Sequence, residues 1–159
     1  MQPATEREAS DSTLDLQQFF PYRLAVLAEE VSRTVAQLYG DRFELTRNEW
    51  RVLAALATNR QMSAKDVADY STLDKMSVSR AVTALESKAC LTREEDPADR
   101  RNKILRLTPA GLALYRKIMP LARARERYIL DALSAAERAA LDTIMKKLLT
   151  RARRLRERG

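Results

Sequence analysis

The sequence has no histidine and a single cysteine, so the side chains most often used for acid–base catalysis and metal binding are nearly missing. It also has no glycine-rich phosphate loop, since its glycines number only three in 159 residues. The carboxylates at residues 94–96 fall at a predicted strand end and turn, where a solvated rim is the expected structure. We therefore predict no catalytic residue, no metal site and no cofactor, and a protein that is not an enzyme.

Glycine and proline are scarce, with three and five copies, while alanine, leucine, arginine and glutamate are abundant, which indicates a mostly helical fold. No apolar run approaches the ~18 residues of a membrane-spanning helix. The N-terminal sequence MQPATEREASDST lacks the hydrophobic centre of a secretory signal. One cysteine fits a reducing compartment. We expect a soluble, cytoplasmic, single-domain protein with no membrane partner.

The net charge of +7 favours attraction to nucleic acid, but the charge is unevenly placed. Residues 116–159 alone carry a net charge of +8, whereas residues 63–115 carry only +1. If residues 63–115 read DNA, a few well-placed side chains must do so, because bulk charge is not concentrated there.

The segment 63–107 has the pattern of two short helices joined by a tight turn and followed by a hairpin. Ser63 and Asp66 have capping-box spacing, and Asp74 is a suitable N-cap for the second helix. Helical spacing places one set of apolar residues on the inner face of that second helix, namely Val78, Ala81, Val82 and Leu85. It points another set outward, namely Met76, Arg80, Thr83 and Ser87. Short polar side chains with one arginine suit a helix that lies in a DNA groove.

The hairpin that follows is predicted to have strands at Thr92–Glu95 and Lys103–Leu107 with a charged tip, DPADRRN, at residues 96–102. Arginines on a thin β-tip suit a narrow minor groove. The fold class is therefore mainly α with a small β-wing, a winged helix-turn-helix flanked by N- and C-terminal dimerisation helices.

The remaining chain divides around this unit into a polar tail at 1–12, a first helix within 13–40, the winged lobe at 41–108 and the last helices at 109–159. Gly40 is predicted to end the first helix. Further capping boxes are predicted at Thr46 with Glu49 and at Ser134 with Glu137, and Thr108 is predicted to cap a long helix kinked at Pro120. Apolar stripes on the first and last helices favour a symmetric homodimer, although folding back on the same chain is an alternative.

The run LTRNEWRVLAAL at 45–56, the helix pair, the DPADRR wing and LTPAG at 107–111 resemble the multiple antibiotic resistance regulator (MarR) family. The resemblance implies a homodimeric, ligand-responsive transcription factor that binds double-stranded operator DNA, usually as a repressor. Asp99 and Arg101 match the family's wing motif Asp-x-Arg, in which the arginine enters the minor groove. One departure is Ala89-Cys90, where the family commonly has glycine, and it puts the end of the recognition helix in question.

The residues predicted to contact DNA combine the outer face of the recognition helix, its neighbouring cations and the wing. They are Ser63, Lys65, Lys75, Met76, Ser77, Ser79, Arg80, Thr83, Asp99, Arg100, Arg101 and Lys103.

The resemblance also implies an effector pocket between the DNA-binding lobe and the dimerisation helices. Its predicted lining is Phe19, Phe20, Tyr22, Arg23, Leu27, Trp50, Arg51 and Tyr115. Aromatic rings together with guanidinium groups suit an aromatic acid or an aromatic acyl-CoA thioester. The stretch FFPYRLAVL at 19–27 resembles the branch of the family that controls catabolism of hydroxycinnamates and related aromatic acids. Core aromatics with surface arginines are the alternative interpretation.

Two alternatives of other kinds stay open. The winged helix can serve as a protein-interaction module without sequence-specific DNA binding. Cys90 can make the protein a redox-sensing repressor, but it lies in an apolar stretch between Ala89 and Leu91, which favours a buried structural thiol.

Overall fold

A computed structural model describes residues 13–99 and 102–159. Its described part contains six helices and a three-stranded antiparallel sheet of order β1-β3-β2. The helices are α1 (Phe20–Phe43), α2 (Arg47–Asn59), α3 (Ala64–Ser71), α4 (Lys75–Ser87), α5 (Pro109–Leu130) and α6 (Ala135–Arg158). The strands are β1 (Gln61–Ser63), β2 (Leu91–Glu95) and β3 (Lys103–Leu107). The predicted fold class, mainly α with a β-wing, is confirmed. None of the helices in the described part of the chain combines the length and the hydropathy of a membrane-spanning segment.

Most of the polar residues that the sequence predicts as N-caps do begin helices in the structure. The Ser63 and Ser134 side chains each accept a hydrogen bond from the third helical residue, and Asp66 and Glu137 return the bond to complete two capping boxes. Asp74 begins α4 by accepting from the Ser77 amide at 2.8 Å. These local bonds satisfy amides that a helix leaves unpaired at its start.

The predicted capping box at Thr46 is wrong in its second half. The Thr46 hydroxyl accepts from the Glu49 amide, but the Glu49 carboxylate is buried and pairs with the Lys88 ammonium at 2.7 Å. Lys88 also donates to the carbonyl oxygen of Glu44 at 2.6 Å. A lysine from the end of α4 therefore connects the end of α1 with the start of α2, a long-range partner that local spacing could not reveal.

Two features differ from the sequence prediction, apart from β2 beginning at Leu91 instead of Thr92. The first helix does not end at Gly40 but continues to Phe43, and Glu44 takes the left-handed conformation with φ of 54°. The amide of Leu45 then donates to the carbonyl of Tyr39 at 3.0 Å, and both side chains are buried. The second difference is β1, because the sequence indicates only a two-stranded hairpin. β1 has three residues with one apolar side chain, Met62, and it forms by pairing with β3.

The hydrophobic core lies within the winged lobe, where α2, α3 and α4 pack on the sheet. Its fully buried members include Leu53, Leu56, Val67, Leu85 and Leu105. Each such side chain stabilises the lobe by about 1.5–3 kcal/mol through burial. In contrast, no described residue of α6 is buried. The lobe thus has a buried hydrophobic core, while α6 carries an exposed apolar stripe.

Helix α4 ends in a left-handed cap although glycine is missing. Ala89 has φ of 54°, its amide donates to the Glu86 carbonyl, and the Cys90 amide donates to the Leu85 carbonyl, both at 2.9 Å. This is the bond pattern of a Schellman motif. The departure at Ala89 therefore leaves the end of α4 in the usual geometry.

Candidate functional site

Helix α4 presents two chemically different faces, as the sequence predicts. Val78, Ala81, Val82 and Leu85 are buried against the lobe. Met76, Ser79, Arg80 and Thr83 are exposed on the other side. Lys65, in the first turn of α3, and Lys75, the first residue of α4, are exposed as well. The exposed face is narrow and polar enough to enter a DNA groove.

Hydrogen bonds within the helix pair restrict what two predicted DNA-contacting serines can do. The Ser77 hydroxyl donates to Asp74 at 2.6 Å, and these bonds from Ser77 lower the pKa of Asp74. The Ser63 hydroxyl donates to Asp66 at 2.7 Å, which likewise lowers the pKa of Asp66. A hydroxyl whose proton is already donated offers only its lone pairs to a further partner. Ser63 therefore acts first as the cap of α3, and Ser77 acts first as the partner of Asp74, the cap of α4.

The wing is the β2–β3 hairpin, which pairs from Leu91 with Leu107 to Glu95 with Lys103. Asp96 begins its turn by accepting from the Ala98 amide at 2.8 Å, as the Asp-Pro sequence predicts. The Asn102 amide donates to the Asp99 carbonyl at 2.9 Å and closes the tip. Lys103 pairs with Glu95 at 3.1 Å. Arg100 and Arg101 lie outside the described residues, so their predicted role stays a prediction.

Sequence reasoning missed Arg93, which joins the wing to α4. Its Nε lies 3.0 Å from the Glu86 carboxylate, and its Nη2 donates to the Thr83 hydroxyl at 3.0 Å. A signal was present in the alternation of β2, because Leu91 is buried and residues two apart in a strand share a face. Arg93 is thus directed to the same side as Leu91, toward α4.

A groove of about 350 Å³ lies between α2 and the turn from α3 to α4. It is lined by Trp50, Arg51, Ala54, Ala55, Thr58, Tyr70, Ser71 and Thr72. Two aromatic rings, one guanidinium and several hydroxyls face this space. The groove brings together two predicted effector residues, Trp50 and Arg51, with six residues that sequence reasoning did not select, among them Tyr70, Ser71 and Thr72.

The other predicted effector residues lie elsewhere. Tyr115 stacks on Trp50 with ring centroids 5.8 Å apart, and Tyr39 stacks on Trp50 at the same distance. Phe19, Phe20, Arg23 and Leu27 are exposed near the start of α1, and Tyr22 is half-buried there; none of these five lines the groove. Trp50 therefore belongs both to an aromatic stack beside the core and to the groove wall.

Cys90 is buried directly after α4, with 7% of its surface exposed. Burial raises the pKa of its thiol, which disfavours the reactive thiolate. Its Sγ contacts the Lys88 carbonyl oxygen at 3.5 Å. These features favour a structural thiol over a redox sensor.

Residues 43–102 match the MarR family. The HTH-type transcriptional repressor NicR of Pseudomonas putida is 27% identical over 106 residues, which make up 67% of each chain. Among solved structures, BpsR of Bordetella bronchiseptica, whose DNA binding is regulated by 6-hydroxynicotinic acid, superposes with a TM-score of 0.77 at 26% identity. That match covers 86% of this chain and 96% of BpsR.

A MarR/EmrR family transcriptional regulator from Acinetobacter sp. ADP1 superposes with a TM-score of 0.80 at 26% identity and covers 89% of this chain and 99% of that one. The winged lobe, the order of its elements and the flanking helices are thus shared with regulators of one family. The chain therefore contains a MarR-family segment at residues 43–102 and shares its fold with transcriptional regulators of that family.

Proposed function

We propose that this regulator is a cytoplasmic, dimeric repressor that binds pseudo-palindromic operator DNA and is released by a small aromatic acid or its CoA thioester. The observation that carries the DNA-binding part is the exposed polar face of α4 beside the wing, with the cation Arg80 in the middle of the helix. The relative NicR, named as a repressor, supports the direction of control.

The dimer part of the proposal is supported by the apolar surfaces that one chain leaves exposed. On α6, Ile144, Leu148 and Leu155 are 51%, 44% and 74% exposed, and on α1, Phe20 and Leu27 are 53% and 59% exposed. A two-fold axis through these helices would cover both stripes at once. It would also present two copies of α4 to half-sites about one DNA turn apart.

The effector proposal rests on the groove between α2 and the α3–α4 turn. The rings of Trp50 and Tyr70 would contact an aromatic ring, and the Arg51 guanidinium would pair with a carboxylate. Regulation of BpsR by 6-hydroxynicotinic acid, itself an aromatic acid, supports this class of ligand. The five predicted residues at the start of α1 join this site only if the dimer brings them to it.

Release would operate through the turn that precedes α4. The groove is bounded by Ser71 and Thr72, and the Asp74 cap of α4 follows two residues later. A ligand in the groove would therefore influence the position of α4. It relieves repression only if it binds the DNA-incompatible arrangement more tightly, because equal affinity for both arrangements shifts nothing.

DNA binding is tested by selecting duplexes from a random-sequence pool with the wild-type protein. Arg80→Ala should cost about 1–3 kcal/mol in binding to the selected duplex, measured by fluorescence anisotropy. Arg116→Ala, an exposed arginine on α5, serves as the matched control and should bind like wild type. A pool without enrichment would favour the protein-interaction alternative and end the repressor proposal.

Effector binding is tested by thermal-shift screening with aromatic acids and their CoA thioesters, since a ligand of the folded state raises its stability by mass action. A stabilising compound should also weaken binding to the selected duplex, and Arg51→Ala should blunt both effects. If the free acid releases DNA and the thioester does not, the CoA version fails. If neither class acts, the aromatic-effector proposal fails while DNA binding stands.

A further inference from the structure

Arg93 is the side chain that connects the wing with the outer part of recognition helix α4. Its guanidinium makes two contacts, one to the Glu86 carboxylate and one to the Thr83 hydroxyl, each at 3.0 Å. A planar guanidinium held at two points has little freedom to rotate. The side chains of Arg93 and Glu86 are 35% and 42% exposed, so the contact lies at the surface and not in the core.

These contacts fix the position of the wing relative to the exposed polar face of α4. Thr83 and Glu86 are one helical turn apart on α4, and β2 leads from Arg93 directly to the hairpin tip. A two-stranded hairpin is marginal when it stands alone. Beyond Leu91 every residue of β2 is exposed, so the outer part of the wing gains little from burial. Arg93 therefore supplies an attachment that hydrophobic packing does not.

The same contacts also change the charge and the hydrogen-bonding direction of the α4 surface. Glu86 is an exposed carboxylate on a helix that is proposed to approach phosphates, and Arg93 compensates its negative charge. Because the Thr83 oxygen accepts from Arg93, the Thr83 hydroxyl can turn its own proton toward another acceptor. DNA phosphates and several base edges are acceptors.

We propose that Arg93 is a positioning residue of the DNA-reading surface, one that holds the wing at a set angle to α4 and compensates Glu86. The inference deepens the proposed function and rests on it. Arg93 acts through Thr83 and Glu86 and makes no phosphate contact of its own. Removing it should leave the fold intact, since exposed ion pairs contribute little to stability.

The test measures affinity for the duplex selected by the wild-type protein, at several salt concentrations. Arg93→Gln should weaken binding by at least about tenfold, because the wing loses its attachment and Glu86 loses its compensating charge. Adding Glu86→Gln to Arg93→Gln should restore part of this loss, since no uncompensated carboxylate remains. The slope of affinity against salt should stay at the wild-type value, because no phosphate contact is removed.

Two variants serve as controls. Arg106→Gln breaks an ion pair within the sheet, that of Arg106 with Glu94 at 3.5 Å, and should keep wild-type affinity. Arg93→Lys keeps the charge but lacks the planar fork that bridges Glu86 and Thr83, so its affinity should be intermediate. At saturating protein concentration, footprinting should show wild-type protection by both α4 and the wing, because the bound state keeps its phosphate contacts. A thermal unfolding curve for each variant separates these effects from misfolding.

The outcomes distinguish this inference from the proposed function. If the wild-type protein enriches no duplex, the proposed function fails, and the inference about Arg93 fails with it. If wild type enriches a duplex and Arg93→Gln binds it as tightly, only the role of Arg93 is wrong. A loss that Glu86→Gln does not restore, with a salt slope lower by about one, would make Arg93 a direct phosphate ligand instead.

Discussion

Ala89 has a backbone conformation that is unfavourable for alanine and would not be unfavourable for glycine. Its φ of 54° costs an L-residue about 1–2 kcal/mol, yet the two amide bonds of the cap at the end of α4 require it. We expect Ala89→Gly to raise the free energy of unfolding by about 1 kcal/mol in denaturant titrations. Ala84→Gly, inside the same helix, is the matched control and should lower stability by about 0.5–1 kcal/mol. Destabilisation by Ala89→Gly would contradict the strain argument.

Glu29 makes stability depend on pH in the acid range. Hydrogen bonds from Arg47 and then Arg33 lower its pKa from 4.5 to about 2. A carboxyl with a lowered pKa contributes its stability fully above the unfolded value and loses it as the pH falls through the folded one. We therefore expect Glu29→Gln to flatten the stability curve between about pH 4.5 and pH 2, measured by thermal unfolding.

Glu30→Gln is the control for that measurement, because Glu30 contacts Arg33 at 3.5 Å and leaves the Arg47 contact of Glu29 intact. It should retain the wild-type dependence on pH. An unchanged acid slope in Glu29→Gln would mean that the Glu29–Arg47 pair, although it joins α1 to α2, does not stabilise the fold.

At the scale of elements, the start of α5 packs directly against the residues that follow α4. A Cβ at Gly111 would lie 2.0 Å from the carbonyl oxygen of Cys90. The Thr108 amide donates to that same oxygen at 3.1 Å, and the Thr108 hydroxyl donates to the Ala89 carbonyl at 2.7 Å. The glycine of LTPAG is therefore required by close approach of two backbones and not by a left-handed conformation.

We expect Gly111→Ala to lower the free energy of unfolding by about 2–3 kcal/mol, because the clash is with backbone that Thr108 holds in place. Gly40→Ala is the matched control, since its Cβ would meet nothing closer than 3.9 Å inside a helix. That substitution should raise stability by about 0.5–1 kcal/mol. Denaturant unfolding of both variants measures the difference, and equal stabilities would rule out the close-approach argument.

At the scale of the whole molecule, the exposed stripe of α6 is the feature that one chain leaves incomplete. Placing glutamates at Ile144 and Leu148 together should yield monomers or insoluble protein, because charge would enter the proposed interface. Analytical ultracentrifugation at micromolar concentration measures the outcome. Glutamates at Thr143 and Thr150, which are exposed and lie on the opposite side of α6, should preserve the dimer. A wild type that sediments as a monomer would end the dimer proposal.

Local chemistry along the chain determined most of the helices, the wing and the inner and outer faces of α4. N-caps, capping boxes and apolar spacing act within about four residues, so they can be read before any tertiary contact is known. The MarR resemblance added the expected role, and the match of residues 43–102 to the MarR family together with the related regulators supports it.

Tertiary structure alone decided the features whose partners are distant in sequence. β1 exists because β3 pairs with it, the Glu49 carboxylate leaves its own cap for Lys88, and Arg93 finds Thr83 and Glu86 on α4. The groove likewise combines Trp50 and Arg51 with Tyr70 from another helix, while the predicted residues at the start of α1 lie apart from it. Sequence spacing determines which face of its own helix or strand a side chain occupies. Tertiary packing determines which face of another element that side chain contacts.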